Sequence, residues 1–220
     1  MPRLSFVVAA IALSGLTTTA TGCHGRFKRH AYTLDSVHAQ VIVTGGPTVT
    51  VPTSTTGVAA VDAMANIGMA VGSATTAGKI RSAVDIPQMS KEMRASVGDA
   101  VGDGPPFPYA SDDTSGSLME VNIRDFGVNA STGIPDFQFT GVVKIYREDD
   151  GWRVYRNRFR CSSRSGGWNA GGMVGIGQSA GGLIQLAEMD ESEIRQTMDQ
   201  QARVCGQYVV SEMRRHAGRR

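Results

Sequence analysis

Between residues 119 and 161 the chain alternates apolar and polar positions in three successive runs. Met119, Val121 and Ile123 alternate with Glu120, Asn122 and Arg124, the period of two that marks a half-buried strand. Phe137, Phe139, Gly141, Val143 and Ile145 alternate with Gln138, Thr140, Val142, Lys144 and Tyr146 and predict a second strand. Glu148-Asp149-Asp150-Gly151 carries the Asp-Gly signal of a tight hairpin turn, and Trp152 to Cys161 gives a third strand. The three are expected to form an antiparallel meander. Upstream, His38 to Val51 holds two β-rich runs, HAQVIV and TVTV, parted by Thr44-Gly45-Gly46-Pro47. This reads as a hairpin or as two short strands.

The period changes elsewhere. Met89, Met93, Val97 and Val101 recur every four residues behind Pro87, which predicts an amphipathic helix over Pro87–Val101 with proline at its first position. Ile194, Met198, Ala202, Cys205, Val209 and Met213 form one stripe and predict a helix over Glu191–His216. Gly102 to Gly116 (GDGPPFPYASDDTSG) is a loop by its prolines and glycines, and its Asp112-Asp113 pair, like Asp149-Asp150, is explained by turn formation. Gly57 to Gly78 is rich in Ala, Gly and Met with one charge, Asp62, and places Val61, Met64, Gly68 and Val71 at helical spacing. It reads as a buried helix or flexible loop, or as a small-residue helix for close packing. Ser162 to Gly182 is Gly-rich and expected to be looped, at least at first. The order of elements predicts an α+β fold: a mostly antiparallel sheet with a three-stranded meander and two amphipathic helices packed on one face.

The first 22 residues do not fit this pattern. Arg3 is followed by an uncharged, largely apolar run, Leu4 to Leu16, and then by small and polar residues up to Gly22. This is the layout of a secretory signal peptide. Ala20-Thr21-Gly22-Cys23 resembles the lipobox of bacterial lipoprotein precursors, with Ala20 where that family usually has Leu. The resemblance implies cleavage before Cys23, lipidation of that cysteine and anchoring through several acyl chains. His24 after the cysteine implies the outer membrane, facing the periplasm, over the inner membrane. The expected organisation is a signal peptide over 1–22, a basic lipid-anchored tether over 23–36, and a single α+β periplasmic domain over 37–220.

Lipidation of Cys23 leaves Cys161 and Cys205, an even number in an oxidising compartment. Both fall on predicted inward faces, Cys161 with Tyr155 and Phe159, Cys205 within the helical stripe. A disulfide between them is expected. The order of elements and the anchor also resemble, weakly, small periplasmic lipoprotein domains of the TolB amino-terminal type, with no motif to carry residues across.

Composition narrows the chemistry. The chain has 220 residues, 41% hydrophobic, with a formal net charge of +2, so global charge gives no reason to expect nucleic acid. Four histidines, His24, His30, His38 and His216, lie at no metal-ligand spacing, and there is no CxxC; no metal and no small-molecule cofactor are expected. Gly177-Gln178-Ser179-Ala180-Gly181 fits the G-x-S-x-G nucleophile elbow of α/β-hydrolases. It lacks a preceding strand, and one downstream histidine, His216, would have to serve as base. Gly175 to Ala180 also fits G-x-G-x-x-A, again without its strand. Arg156, Arg158 and Arg160 share the outward face of the third strand, with Lys144 and Arg147 on its partner. They are a candidate surface for an anionic partner, or a solvated, edge-protecting face. The expected function is a non-enzymatic envelope lipoprotein, bound to the membrane through its lipid, that binds or scaffolds a protein or other envelope partner. Two alternatives stand beside it: a secreted serine esterase using Ser179 and His216, and a subunit of an envelope channel or export complex using the Gly57–Gly78 segment.

Overall fold

The computed structural model describes residues 27–34, 36–50, 74–104, 116–130, 135–163 and 181–218. These residues form a mixed helical and sheet fold around a five-stranded, mostly antiparallel sheet. The strands are β1 (Val37–Val43), β2 (Pro47–Thr50), β3 (Ser117–Asn129), β4 (Asp136–Tyr146) and β5 (Arg153–Ser162). The helices are α1 (residues 74–83), α2 (Ile86–Gly102), α3 (Gly181–Glu188) and α4 (Glu191–Gly218).

β3 pairs antiparallel with β4, and β4 with β5. The β4–β5 turn closes by mutual backbone bonds, Arg147 N–H to Trp152 C=O and Gly151 N–H to Arg147 C=O, both 3.0 Å. Gly151 takes φ +64° there, the left-handed conformation that the Asp-Gly signal supplies without steric cost.

β1 and β2 do not form a hairpin. Both run parallel to β3 along the same edge, β1 beside Ser117–Ile123 and β2 beside Phe126–Asn129. They are two halves of one edge strand, broken at residues 44–46. Thr44 N–H still bonds Ile123 C=O at 2.9 Å. A β-carbon on Gly45 would lie 1.8 Å from the Arg124 carbonyl oxygen, so glycine lets the chain pass flush against β3 where β3 is itself irregular, between Ile123 and Asp125. The Gly-Gly-Pro run therefore serves a break in a continuing strand, a use of glycine that turn statistics do not separate from a reversal. Parallel pairing of β1 with β3 requires a crossover, and α1 and α2 occur within it.

α2 begins where Asp85 accepts a bond from Gln88 N–H at 3.0 Å, with proline in the first turn. α4 begins with a reciprocal cap: Glu193 N–H donates to Asp190 Oδ1 at 2.8 Å and Asp190 N–H to Glu193 Oε2 at 2.9 Å. α2 and α4 run parallel. Arg195 donates to Ala83 C=O, Arg203 meets Glu92, Ser96 Oγ donates to Arg203 C=O, and Arg214 reaches the carbonyls of Ala100 and Gly104 at the end of α2. That last contact puts a cation on a helix C-terminus, where the dipole and unmatched carbonyls favour it. Lys79 does the same for α3 through the carbonyls of Ala187 and Met189. α2 also contacts β1, and α4 contacts β4 and β5.

The core joins Met89, Met93 and Val97 of α2, Ile194, Met198, Cys205, Val209 and Met213 of α4, and Met119, Val121, Ile123, Phe139, Ile145 and Tyr155 of the sheet. Cys161 and Cys205 are disulfide-bonded, Cα to Cα 5.6 Å, and tie the end of β5 to the middle of α4.

Residues 27–34, read from their sequence as part of a tether, contribute Phe27, Ala31 and Leu34 to this core. Phe27 is wholly buried, its ring 4.3 Å from that of Tyr155. Among the described residues the core thus includes Phe27, ten positions before β1. The basic residues around it concealed the signal: Phe27, Ala31 and Leu34 have helical spacing over about two turns, too short for periodicity to register.

The sheet has two distinct ends. Val37, Ser117, Tyr146 and Arg153 lie at one, with the helical turn over residues 27–33 and the C-terminal end of α4. Thr50, Asn129, Asp136 and Ser162 lie at the other, the same end as the disulfide.

Candidate functional site

Arg156, Arg158 and Arg160 alternate on β5 and are exposed, on the side of the sheet opposite the inward-facing Cys161. The partner strand presents Lys144, Val142 and Thr140 beside them in register. The five cations that the sequence groups into one stripe differ in their surroundings. Lys144 pairs with Glu120 across β3 at 2.6 Å, and this hydrogen bond holds its pKa above the ordinary lysine value. Arg147 is not on β4, which ends at Tyr146. It sits in the turn and binds Asp149 and Asp150, 3.7 Å to the latter, and the Asp149 bond raises its pKa. Arg160 donates to Gln138 Oε1 at 2.9 Å. Arg156 and Arg158 form no ion pair among the described residues. The cationic surface is thus narrower than the sequence implies, because cross-strand and turn acids neutralise its flank.

Near the disulfide end, Asp136 is a buried carboxylate. It accepts bonds from Ser162 Oγ at 2.7 Å, Ser163 Oγ at 2.8 Å and Gln138 Nε2 at 2.6 Å. Ser163 Oγ also accepts from Phe137 N–H at 3.1 Å. These bonds satisfy the charge and fasten the start of β4 to the end of β5. Nothing in the alternation of the strands marks this cluster, since it lies at strand ends.

At the opposite end, two large aromatic side chains face outward. Tyr32 is 62% exposed and Trp152 is 42% exposed. Trp152 meets His30 edge-on, ring centroids 5.9 Å apart. Lys28 and Arg29 on the same helical turn are exposed. Beside them a cleft of about 390 Å³ is lined by Thr33, Leu34, Gly116, Ser117, Arg147, Glu148 and Asp149.

The Tyr155 hydroxyl and His216 Nδ1 are 2.8 Å apart, and burial pushes the Tyr155 pKa up. His216 is therefore engaged with a buried tyrosine on β5. Ser179, and with it residues 175–180 of both glycine motifs, lies outside the described residues, as do Cys23 and residues 57–73 of the Gly57–Gly78 segment. The end of that segment is helical from residue 74, and Gly181-Gly182 open α3, a helix that the looped reading of Ser162–Gly182 did not contain. Among the described residues no group of three or more His, Cys, Asp or Glu side chains is placed to hold a metal. No helix among them is long and apolar enough to cross a membrane.

No protein-family model matches the chain, and no curated protein matches it. Among solved structures it is similar to protein XCC0632 from Xanthomonas campestris, of family DUF330, at 14% identity and a TM-score of 0.35. The match covers 55% of this chain and 58% of that one.

Proposed function

We propose that this chain is an exported lipoprotein of the cell envelope, anchored through Cys23 in the outer membrane and facing the periplasm, with a non-enzymatic binding or scaffolding role. The observation that carries the reading is the buried Cys161–Cys205 disulfide, a bond characteristic of compartments outside the reducing cytosol. It stands beside the signal-like residues 1–22 and the lipobox-like Ala20–Cys23. The α2 and α4 helices form a layer on one side of the β3–β4–β5 meander, and the other side carries Arg156 and Arg158 as a surface for an anionic partner.

Intact mass and membrane fractionation of the protein from its native envelope test this. The expected result is a chain beginning at Cys23, with acyl mass on that residue and a two-dalton deficit removed by reductant. A Cys23→Ser variant, exported behind a signal that is cleaved without lipidation, should leave the membrane fraction. An unlipidated wild-type chain in the soluble fraction overturns the reading.

A further inference from the structure

The strongest unassigned feature is the end of the domain where the chain enters it. Phe27 is fixed in the core against Tyr155, and Cys23 precedes it by four positions. Four residues span at most roughly 14 Å. A lipid on Cys23 therefore cannot hold the domain at a distance, and the surface around Phe27 must lie close to the bilayer. That surface carries Tyr32 and Trp152, two of the few large apolar side chains that are exposed among the described residues. Lys28 and Arg29 lie on the same turn as Tyr32, and Arg153 follows Trp152; all three are exposed. Tryptophan and tyrosine favour the headgroup level, where an apolar ring and a polar edge are both satisfied, and cations there meet lipid phosphates.

We infer that Tyr32, Trp152, Lys28, Arg29 and Arg153 form a membrane-contact face that seats the domain on phospholipid headgroups, with the disulfide end of the sheet pointing away. The inference rests on lipidation of Cys23. Acids are also present: Asp149 and Asp150 occupy the neighbouring turn, but Arg147 binds both. Contact is accordingly aromatic first and electrostatic second, and it persists in vesicles without anionic lipid. The face also gives the exposed aromatics an occupant without invoking a second protein.

The test uses the full acylated chain, its Cys23 lipid verified by mass, in phosphatidylethanolamine–phosphatidylglycerol vesicles. The chain has two tryptophans, so Trp168→Phe leaves Trp152 alone. Lipids brominated near the headgroup should quench Trp152 severalfold more than a control tryptophan introduced by Gln138→Trp in a chain lacking both native ones. Hydrogen exchange on the unsubstituted chain gives a second readout. Residues 28–33 and 150–153 should exchange severalfold more slowly on vesicles than in the soluble Cys23→Ser chain. Lipid on Cys23 with equal quenching at both positions and unchanged exchange overturns the seating while leaving the anchor intact. Protection that appears only as protein concentration rises also overturns it and identifies a second copy as occupant. Absence of lipid on Cys23 removes the anchor and the seating together.

Discussion

Phe27→Ala separates a packed segment from a tether. In the structure Phe27 has no exposed surface and lies ring to ring with Tyr155. A phenylalanine buries on the order of 200 Å², which at about 25 cal/mol per Å² gives an upper bound near 5 kcal/mol. Measured Phe→Ala losses in cores run about 3–5 kcal/mol, because a cavity is left behind. The Tyr155 hydroxyl, bonded to His216, resists collapse into that cavity, so a loss of about 3–4 kcal/mol is expected. For a domain of this size that lowers Tm by roughly 6–16 °C. The assay is urea unfolding of the Cys23→Ser chain, with and without Phe27→Ala, followed by circular dichroism. A solvated tether would lose less than about 0.5 kcal/mol. A change that small, with an unchanged m-value, would refute the claim that Phe27 is part of the core.

Four further outcomes are expected. Replacing both Cys161 and Cys205 by alanine should cost about 4 kcal/mol from the entropy of the loop that the bond closes, read as a lower denaturation midpoint, and dithiothreitol should reproduce most of that loss in the unsubstituted chain. Gly206→Val should destabilise by about 1–3 kcal/mol, because even a β-carbon there would lie 3.0 Å from the Met93 carbonyl oxygen and 3.0 Å from Ser96 Oγ; a thermal melt with unchanged Tm would contradict the close α2–α4 contact. Asp199→Asn should stabilise the fold at pH 7 and not at pH 3. Burial and the nearby Glu92 and Asp85 charges raise the Asp199 pKa, so its ionised form costs stability above the unfolded pKa, and below that value both states hold the proton; an equal effect at both pH values would show that charge is not the cause. Trp152→Ala should cost the soluble chain clearly less than Phe27→Ala, since Trp152 is 42% exposed and Phe27 is not exposed at all, and an equal loss in urea would make it a core residue.

Much of the fold could be read from the chain because its strands and long helices repeat one signal many times. β3 to β5 are each ten or more residues long and alternate over much of that length, and α4 carries its apolar stripe from Ile194 to Met213, so single exceptions such as Gln201 do not obscure it. What failed or stayed open was short or two-valued. The glycines at 45 and 46 fit a reversal as well as a break in a continuing strand, and the decision lies in the Arg124 carbonyl, which is remote in sequence. α3 offers only two turns, of high mean hydropathy, after a long glycine run. The arginine stripe was visible as alternation, but its neutralisation depends on Glu120 and on the turn acids, and therefore on register. Tyr32 and Trp152 carry no pattern of their own. They become a group only because the fold brings residue 30 beside residue 152.

The placement of Phe27 has a consequence for the order of events during synthesis. Its ring rests on Tyr155, which is bonded to His216 in α4. The first described residue thus has no site until nearly all the described chain exists. Contacts between positions so far apart form late, since loop closure must precede them. The turn over residues 27–34 therefore docks after α4, although it is made long before it. A single aromatic pair thus makes the seating of Phe27 one of the last steps of folding.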